Sequence, residues 1–332
     1  MNANYFQPNY IKKFNIYDIF YNDDNKLIII IPCETKPYII KYIASDNKIL
    51  TFELYKCPHN HTYIYSLDIE YNKKIKLNID ENIIETHVNR YPNFKNEIIF
   101  STMVKNEDNY IKQWIDFHVG IGISRFIIYD NMESNDGKSY CSIEKTSNLS
   151  LLLSDYIKKD IVYLIKWPYP KRLQKSGISG QTTQQNHSIY AFRNSKYIGL
   201  FDIDEYVNMQ GIKNINCFFN ELIIKENIDM NKISSFKFLN KFFYNPNNMP
   251  TDNNNFLKIF NCNNVTESGH EKNFVIPKNV NTFSVHMVTS GKPMYSVNKK
   301  YAYFNHYYYL NKNDRGKNIT SHVDQSILFH IL

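Results

Sequence analysis

The feature that most restricts this chain is a change of rhythm near Arg90. Before it, β-branched and aromatic runs at 26–32, 37–44, 48–55, 61–69 and 73–79 are separated by Asp- and Asn-containing turns. A strand every 8–12 residues or so is the spacing of an all-β sandwich or small barrel. After it, EIIFSTMV (97–104) reads as a buried strand. Tyr110, Ile111, Trp114, Ile115 and His118 then recur on one helical face. RFIIY (125–129) and residues 161–167 follow as strands, 182–193 as a helix, and YIGLF (197–201) as another strand. Strands alternating with helices predict βαβ units and a mainly parallel sheet. The expected organisation is an all-β sandwich-like module over 1–95, a linker at Arg90-Tyr91-Pro92-Asn93, and an α/β domain over 96–332.

In such sheets ligands bind at the carboxyl ends of the strands. Three predicted ends carry polar clusters: Lys105-Asn106-Glu107, Asp130-Asn131 and Asp202-Ile203-Asp204-Glu205. The last is the sharpest, because the apolar run 197–201 ends directly in Asp202. Two carboxylates one residue apart can place oxygen ligands on a hard cation such as Mg²⁺ or Mn²⁺. A D-x-D pair at a solvated strand end is the competing reading. Asp130 can accept from the N–H of a nucleotide base, or simply sit in a solvated turn. Asn106 and Glu107 can cap the following helix while serving a ligand.

Taken in order, V-K-N-E (104–107), W-I-D-F-H (114–118), F-I-I-Y-D-N (126–131) and F-D-I-D-E-Y (201–206) resemble glycosyltransferase family 92 and the broader GT-A nucleotide-sugar transferases. Gln181 and Asn186, F-V-I-P (274–277) followed by Val285-His286, and His306-Tyr307 extend the resemblance. It implies a GT-A-like fold, with a Rossmann-like, mainly parallel sheet and flanking helices. It further implies transfer of a hexose, galactose first, from a UDP-sugar to a glycan or protein-linked hydroxyl with inversion, using Mn²⁺ or Mg²⁺. Under it Lys105, Asn106, Glu107, Asp130 and Asn131 line the nucleotide, Gln181 and Asn186 bond donor hydroxyls, and Asp202 contacts the nucleotide-sugar. Asp202 and Asp204 hold the metal with His306, or with His286 in its place. Inversion needs a general base, for which Glu267 and Glu271 are the candidates; a solvated loop acid is the other reading of each. Two departures stand out: Tyr206 replaces the usual Phe after D-x-D-E, and F-V-I-P lacks the basic residue often found before its Pro.

Composition narrows the alternatives. The net charge is +7, from 39 Lys+Arg against 32 Asp+Glu, with no dense basic stripe, so no nucleic-acid surface is expected. Five scattered Cys without a C-x-x-C pair argue against a disulfide framework and a cysteine zinc site. Residues 1–13 lack a signal-peptide core and no run is long enough for a membrane span, which predicts a cytoplasmic protein. Asn supplies roughly one residue in seven, so N-x-S/T sequons arise by chance. Two other classes stay open: a carbohydrate-binding protein with a degenerate transferase domain, and a nucleotidyl- or phosphotransferase using the same Asp pair.

Overall fold

The apolar runs before residue 95 form β1 (Tyr5–Phe6), β2 (Asp18–Tyr21), β3 (Lys26–Pro32), β4 (Ile40–Ile43), β5 (Ile49–Thr51), β6 (Glu53–Lys56), β7 (Thr62–Asp68), β8 (Lys74–Ile79), β9 (Asn82–His87) and β10 (Asn89–Arg90). The computed structural model describes residues 4–32, 36–57, 62–105, 108–131, 148–169, 179–243, 257, 261–262, 267–307 and 322–331. Two antiparallel-rich sheets result, in the orders β10-β2-β3-β7-β6 and β5-β4-β8-β9. Asn and Asp serve the turns because they tolerate positive φ. Asn25 and Asn47 adopt it, and Asp80 and Glu81 form a two-residue hairpin with φ of 43° and 67°.

The second half supplies β11 (Ile98–Val104), α1 (Asp108–Gly120), β12 (Arg125–Asp130), α2 (Leu149–Leu152), α3 (Ser154–Lys158), β13 (Val162–Lys166), α4 (Ser179–Ala191) and β14 (Tyr197–Leu200). Their strands are parallel, in the order β13-β12-β11-β14. This is the predicted βαβ alternation. Beyond it come β15 (Glu205–Met209), α5 (Ile215–Lys225), β16 (Ser235–Phe242), β17 (Asn261–Cys262), β18 (Glu267–Val275), β19 (Val280–Ser284), β20 (Met287–Gly291), β21 (Met294–Ser296), β22 (Ala302–His306) and β23 (His322–Val323). The large sheet continues as β14-β18-β16-β22-β15.

That continuation brings antiparallel pairs into a sheet whose pairings stay mainly parallel, since β16 also runs parallel to β22 and β21. β18 runs antiparallel to both β14 and β16, and β15 runs antiparallel to β22. Residues 267–272, from the segment that reads as a polar loop, enter this sheet with β18. Pairing with β16, which meets Lys272 at Phe238 and Glu267 at Asn240, overrides their composition.

The N-terminal strands are not packed by themselves. β1 pairs parallel with β13 at the edge of the large sheet. Leu27, Ile29 and Ile31 of β3 face one cluster with Tyr42, Tyr65 and Leu77. Ile28 and Ile30 face the other way, into a cluster with Ile127, Tyr129, Trp167 and Ile189 of the α/β part. A strand covered on both sides reads as a continuous apolar run, as Leu27–Ile31 does. The change of rhythm near Arg90 is a change of topology within a shared core.

One glycine positions the D-x-D strand. A Cβ on Gly199 would lie 2.1 Å from the Phe100 ring. Its absence lets Phe100 lie flat across β14 and stack on Phe201 at 5.2 Å.

Candidate active site

β14 ends at Leu200, buried Phe201 follows, and the chain turns at once. The Glu205 N–H donates to the Asp202 carbonyl at 3.1 Å, closing the turn into β15. The Glu205 side chain folds back, and its Oε2 accepts the Asp202 N–H at 2.9 Å. Glu205 also stands opposite His306 in the β15–β22 register. The next residue, Tyr307, donates its N–H to the Asp204 carbonyl at 2.9 Å.

Local turn and strand pairing therefore bring Asp204, Glu205 and His306 together. His306 Nε2 lies 3.5 Å from Asp204 Oδ2, and His306 Nδ1 lies 3.7 Å from Glu205 Oε1. One ligand atom from each of the three falls within 4.8 Å of the others; among the described residues no second group of this kind exists. Two carboxylates and an imidazole are a donor set suited to Mn²⁺ or Mg²⁺. The frame behind them is stiff. Phe242 stacks on the His306 ring at 5.0 Å. The Trp114 indole of α1 donates to the Glu205 carbonyl at 2.9 Å, and His118 Nε2 accepts the Val207 N–H at 3.3 Å.

A buried ammonium completes the cluster. Lys272 Nζ lies 2.5 Å from Asp202 Oδ2 and 3.0 Å from Glu205 Oε2. Burial pushes the Glu205 carboxyl up to about 7, with Lys272 pulling the other way. Burial also disfavours the Lys272 ammonium, but Asp202 and Glu205 outweigh it and hold the lysine charged. The same contest holds His306 above its ordinary value: desolvation lowers it, and Asp204 and Glu205 more than restore it.

The other sequence candidates are placed as follows. Asp202 stands outside the group of three, tied to Lys272. His286 follows Val285, whose φ is 36°, and its Nδ1 bonds the Glu271 carbonyl at 2.9 Å. Burial and Lys272 hold that imidazole below its usual value. Glu271 is half-buried, accepts the Gly269 N–H at 2.8 Å and lies 3.8 Å from Lys237. Burial acts to raise its carboxyl, but backbone N–H groups and Lys237 prevail and hold it below the ordinary range. Glu267 opens β18 through its backbone; its side chain lies outside the described residues, as do Asn106 and Glu107 entirely.

At the carboxyl ends of β11 and β12, Lys105 is half-buried beyond β11 and Asp130 is buried at the end of β12. Asn131 donates its amide to the Trp167 and Tyr169 carbonyls at 2.6 and 2.7 Å, pinning the segment after β13. Gln181 is half-buried in the first turn of α4. Asn186 clamps α4 to β19: its Nδ2 donates to the Thr182 and Phe283 carbonyls, and its Oδ1 accepts the Phe283 N–H at 2.9 Å. The amides of Asn131 and Asn186 thus fasten backbone segments that frame the site.

Sequence reasoning missed Lys272 and gave Glu205 no role of its own. Glu205 is legible as the fourth residue of D-x-D-E, and Lys272 shares a strand face with Phe274, two residues on.

The profile of glycosyltransferase family 92 matches residues 97–329. The chain belongs to glycosyltransferase family 92. The matched span contains Asp204, Glu205, Lys272 and His306. Family 92 proteins of Arabidopsis thaliana and of Oryza sativa subsp. japonica are 30% identical over 112 residues and 27% identical over 127 residues. These stretches are 34% and 38% of this chain but only 16% and 19% of those proteins. A family 92 protein of Ricinus communis is 26% identical over 113 residues, 34% of this chain and 17% of its own length. Among the described residues, no helix is long and apolar enough to cross a membrane.

Proposed function

We propose that this chain is a metal-dependent glycosyltransferase of GT-A-like architecture, moving a hexose from a UDP-sugar to a glycan or protein-linked hydroxyl with inversion. The observation that carries this reading is the convergence of Asp204, Glu205 and His306 at the end of β14, inside the family 92 match. The parallel order β13-β12-β11-β14, with polar residues at its carboxyl ends, supports the architecture.

Asp204, Glu205 and His306 would hold Mn²⁺ or Mg²⁺. A bound divalent cation supplies Lewis-acid stabilisation of the charge that grows on the leaving diphosphate. The chain's own residues do the rest. Buried Asp130 reads the base, and its neighbour Asn131 fixes the wall beside it. Glu271, kept ionised by its N–H partners and Lys237, is the base candidate that takes the proton of the acceptor hydroxyl. Glu267 is the second candidate, on the same strand.

The test is release of nucleoside diphosphate from a panel of sugar nucleotides with Mn²⁺ and with EDTA. Turnover should vanish in EDTA and in Asp204→Ala, whose thermal unfolding should match the parent. Full activity in EDTA defeats the proposal. Release of phosphate or pyrophosphate in place of intact diphosphate would identify a phospho- or nucleotidyltransferase.

A further inference from the structure

The D-x-D motif supplies two carboxylates, yet they are treated differently. Asp204 faces His306, whereas Asp202 Oδ2 is held 2.5 Å from Lys272 Nζ. Lys272 is fixed from behind. It sits in β18 opposite Phe238 of β16, one residue before the stretch of β18 that also pairs with β14. Its side chain is 3% exposed against 47% for Asp202, so the ammonium lies on the protein side of the carboxylates and the site opens on the other. An ammonium tolerates such burial only when paired, and Lys272 is paired twice, with Asp202 and with Glu205. Glu205 divides its oxygens accordingly: Oε2 serves Lys272 and the Asp202 N–H, and Oε1 faces His306.

We infer that Lys272 is a positioning residue acting as an internal counter-cation: it withdraws Asp202 from the divalent ligand set and sets the net charge of the Asp204–Glu205–His306 centre. This rests on the metal-centre reading above. With Asp202 counted beside the two carboxylates of the centre, and all three ionised, three negative charges stand together here. Lys272 cancels one, leaving two for a divalent cation to balance. The lysine acts through Asp202 and Glu205.

The experiment is Mn²⁺ titration of the purified full chain, followed by electron paramagnetic resonance, beside metal-free thermal melts. Lys272→Met should bind Mn²⁺ at least about tenfold more tightly than the parent, because a positive charge a few ångströms away has gone. Lys272→Met/Asp202→Asn should return to within about threefold of the parent, since removing a negative charge restores the balance. Lys272→Arg, which keeps the charge, should also stay within about threefold. In Asp202→Asn the spectrum of bound Mn²⁺ should keep the parent's shape, as no ligand is lost; in Asp204→Asn it should change or disappear.

Unchanged or weaker Mn²⁺ binding in a folded Lys272→Met overturns the proposal, as does a double variant no different from the single. An altered Mn²⁺ spectrum in Asp202→Asn also overturns it, and decides the matter if the methionine variants do not melt cooperatively. A parent chain that binds no Mn²⁺ gives a different signature. It removes the metal-centre reading, and this inference with it.

Discussion

Asp18 is expected to hold the N-terminal strands to the α/β part. It is fully buried in β2. Its Oδ1 accepts the N–H groups of Asn9 and Ile19 at 2.6 and 2.8 Å and the Asn89 amide at 3.1 Å. Its Oδ2 accepts the Tyr91 hydroxyl at 2.5 Å and lies 3.0 Å from His187 Nε2 on α4. His187 Nδ1 in turn meets the Tyr129 hydroxyl at 2.7 Å, on β12 one residue before Asp130. Asp18→Ala strands these donors away from water. Breaking one partner of a buried pair costs about 3–5 kcal/mol, a large part of a typical stability of about 5–15 kcal/mol. Asp18→Asn keeps an acceptor for the backbone N–H groups, and the Tyr91 hydroxyl can rotate, so its cost should be about 1–3 kcal/mol. The assay is urea unfolding followed by the fluorescence of the two buried tryptophans, Trp114 and Trp167, the latter 5.0 Å from the His187 ring. Because the core is shared, one transition should shift as a whole. A loss under about 1 kcal/mol for Asp18→Ala refutes the reasoning. A split transition, in which the mutation moves one step only, refutes the shared core.

Two further outcomes are expected. Burial holds His118 down at about 3, and its Nε2 must stay unprotonated to accept the Val207 N–H. An unfolded histidine titrates near 6.5. As pH falls, the unfolded chain therefore gains this proton first, and stability drops by about 1.4 kcal/mol per pH unit between about pH 6.5 and 3. Urea unfolding of His118→Phe at pH 7, 5.5 and 4.5 should show a slope shallower by one proton; equal slopes reject this origin. Asp130→Ala should weaken UDP binding by about 1–3 kcal/mol, the cost of deleting a charged hydrogen-bond partner, and leave Mn²⁺ affinity unchanged. Calorimetry with UDP and Mn²⁺ checks it, and unchanged UDP affinity removes Asp130 from the base pocket.

What is local in this protein can be read along the chain. The runs 26–32 and 62–68, the Asn/Asp turns, the parallel order's βαβ rhythm and the apolar strand ending at Asp202 rest on signals within about ten neighbouring residues. His306 was visible as the histidine of an aromatic strand end. Tertiary structure decided what depends on distant partners. Polar residues 267–272 become strand through pairing with β16, some thirty residues earlier in the chain. Lys272 can be buried only because Asp202 and Glu205, some seventy residues earlier, meet it. Asn131 and Asn186 look like ligand-binding amides in sequence, and the fold turns them onto carbonyls at Trp167 and Phe283. A desolvated charge or amide needs a partner, and strand pairing, which is non-local, chooses that partner.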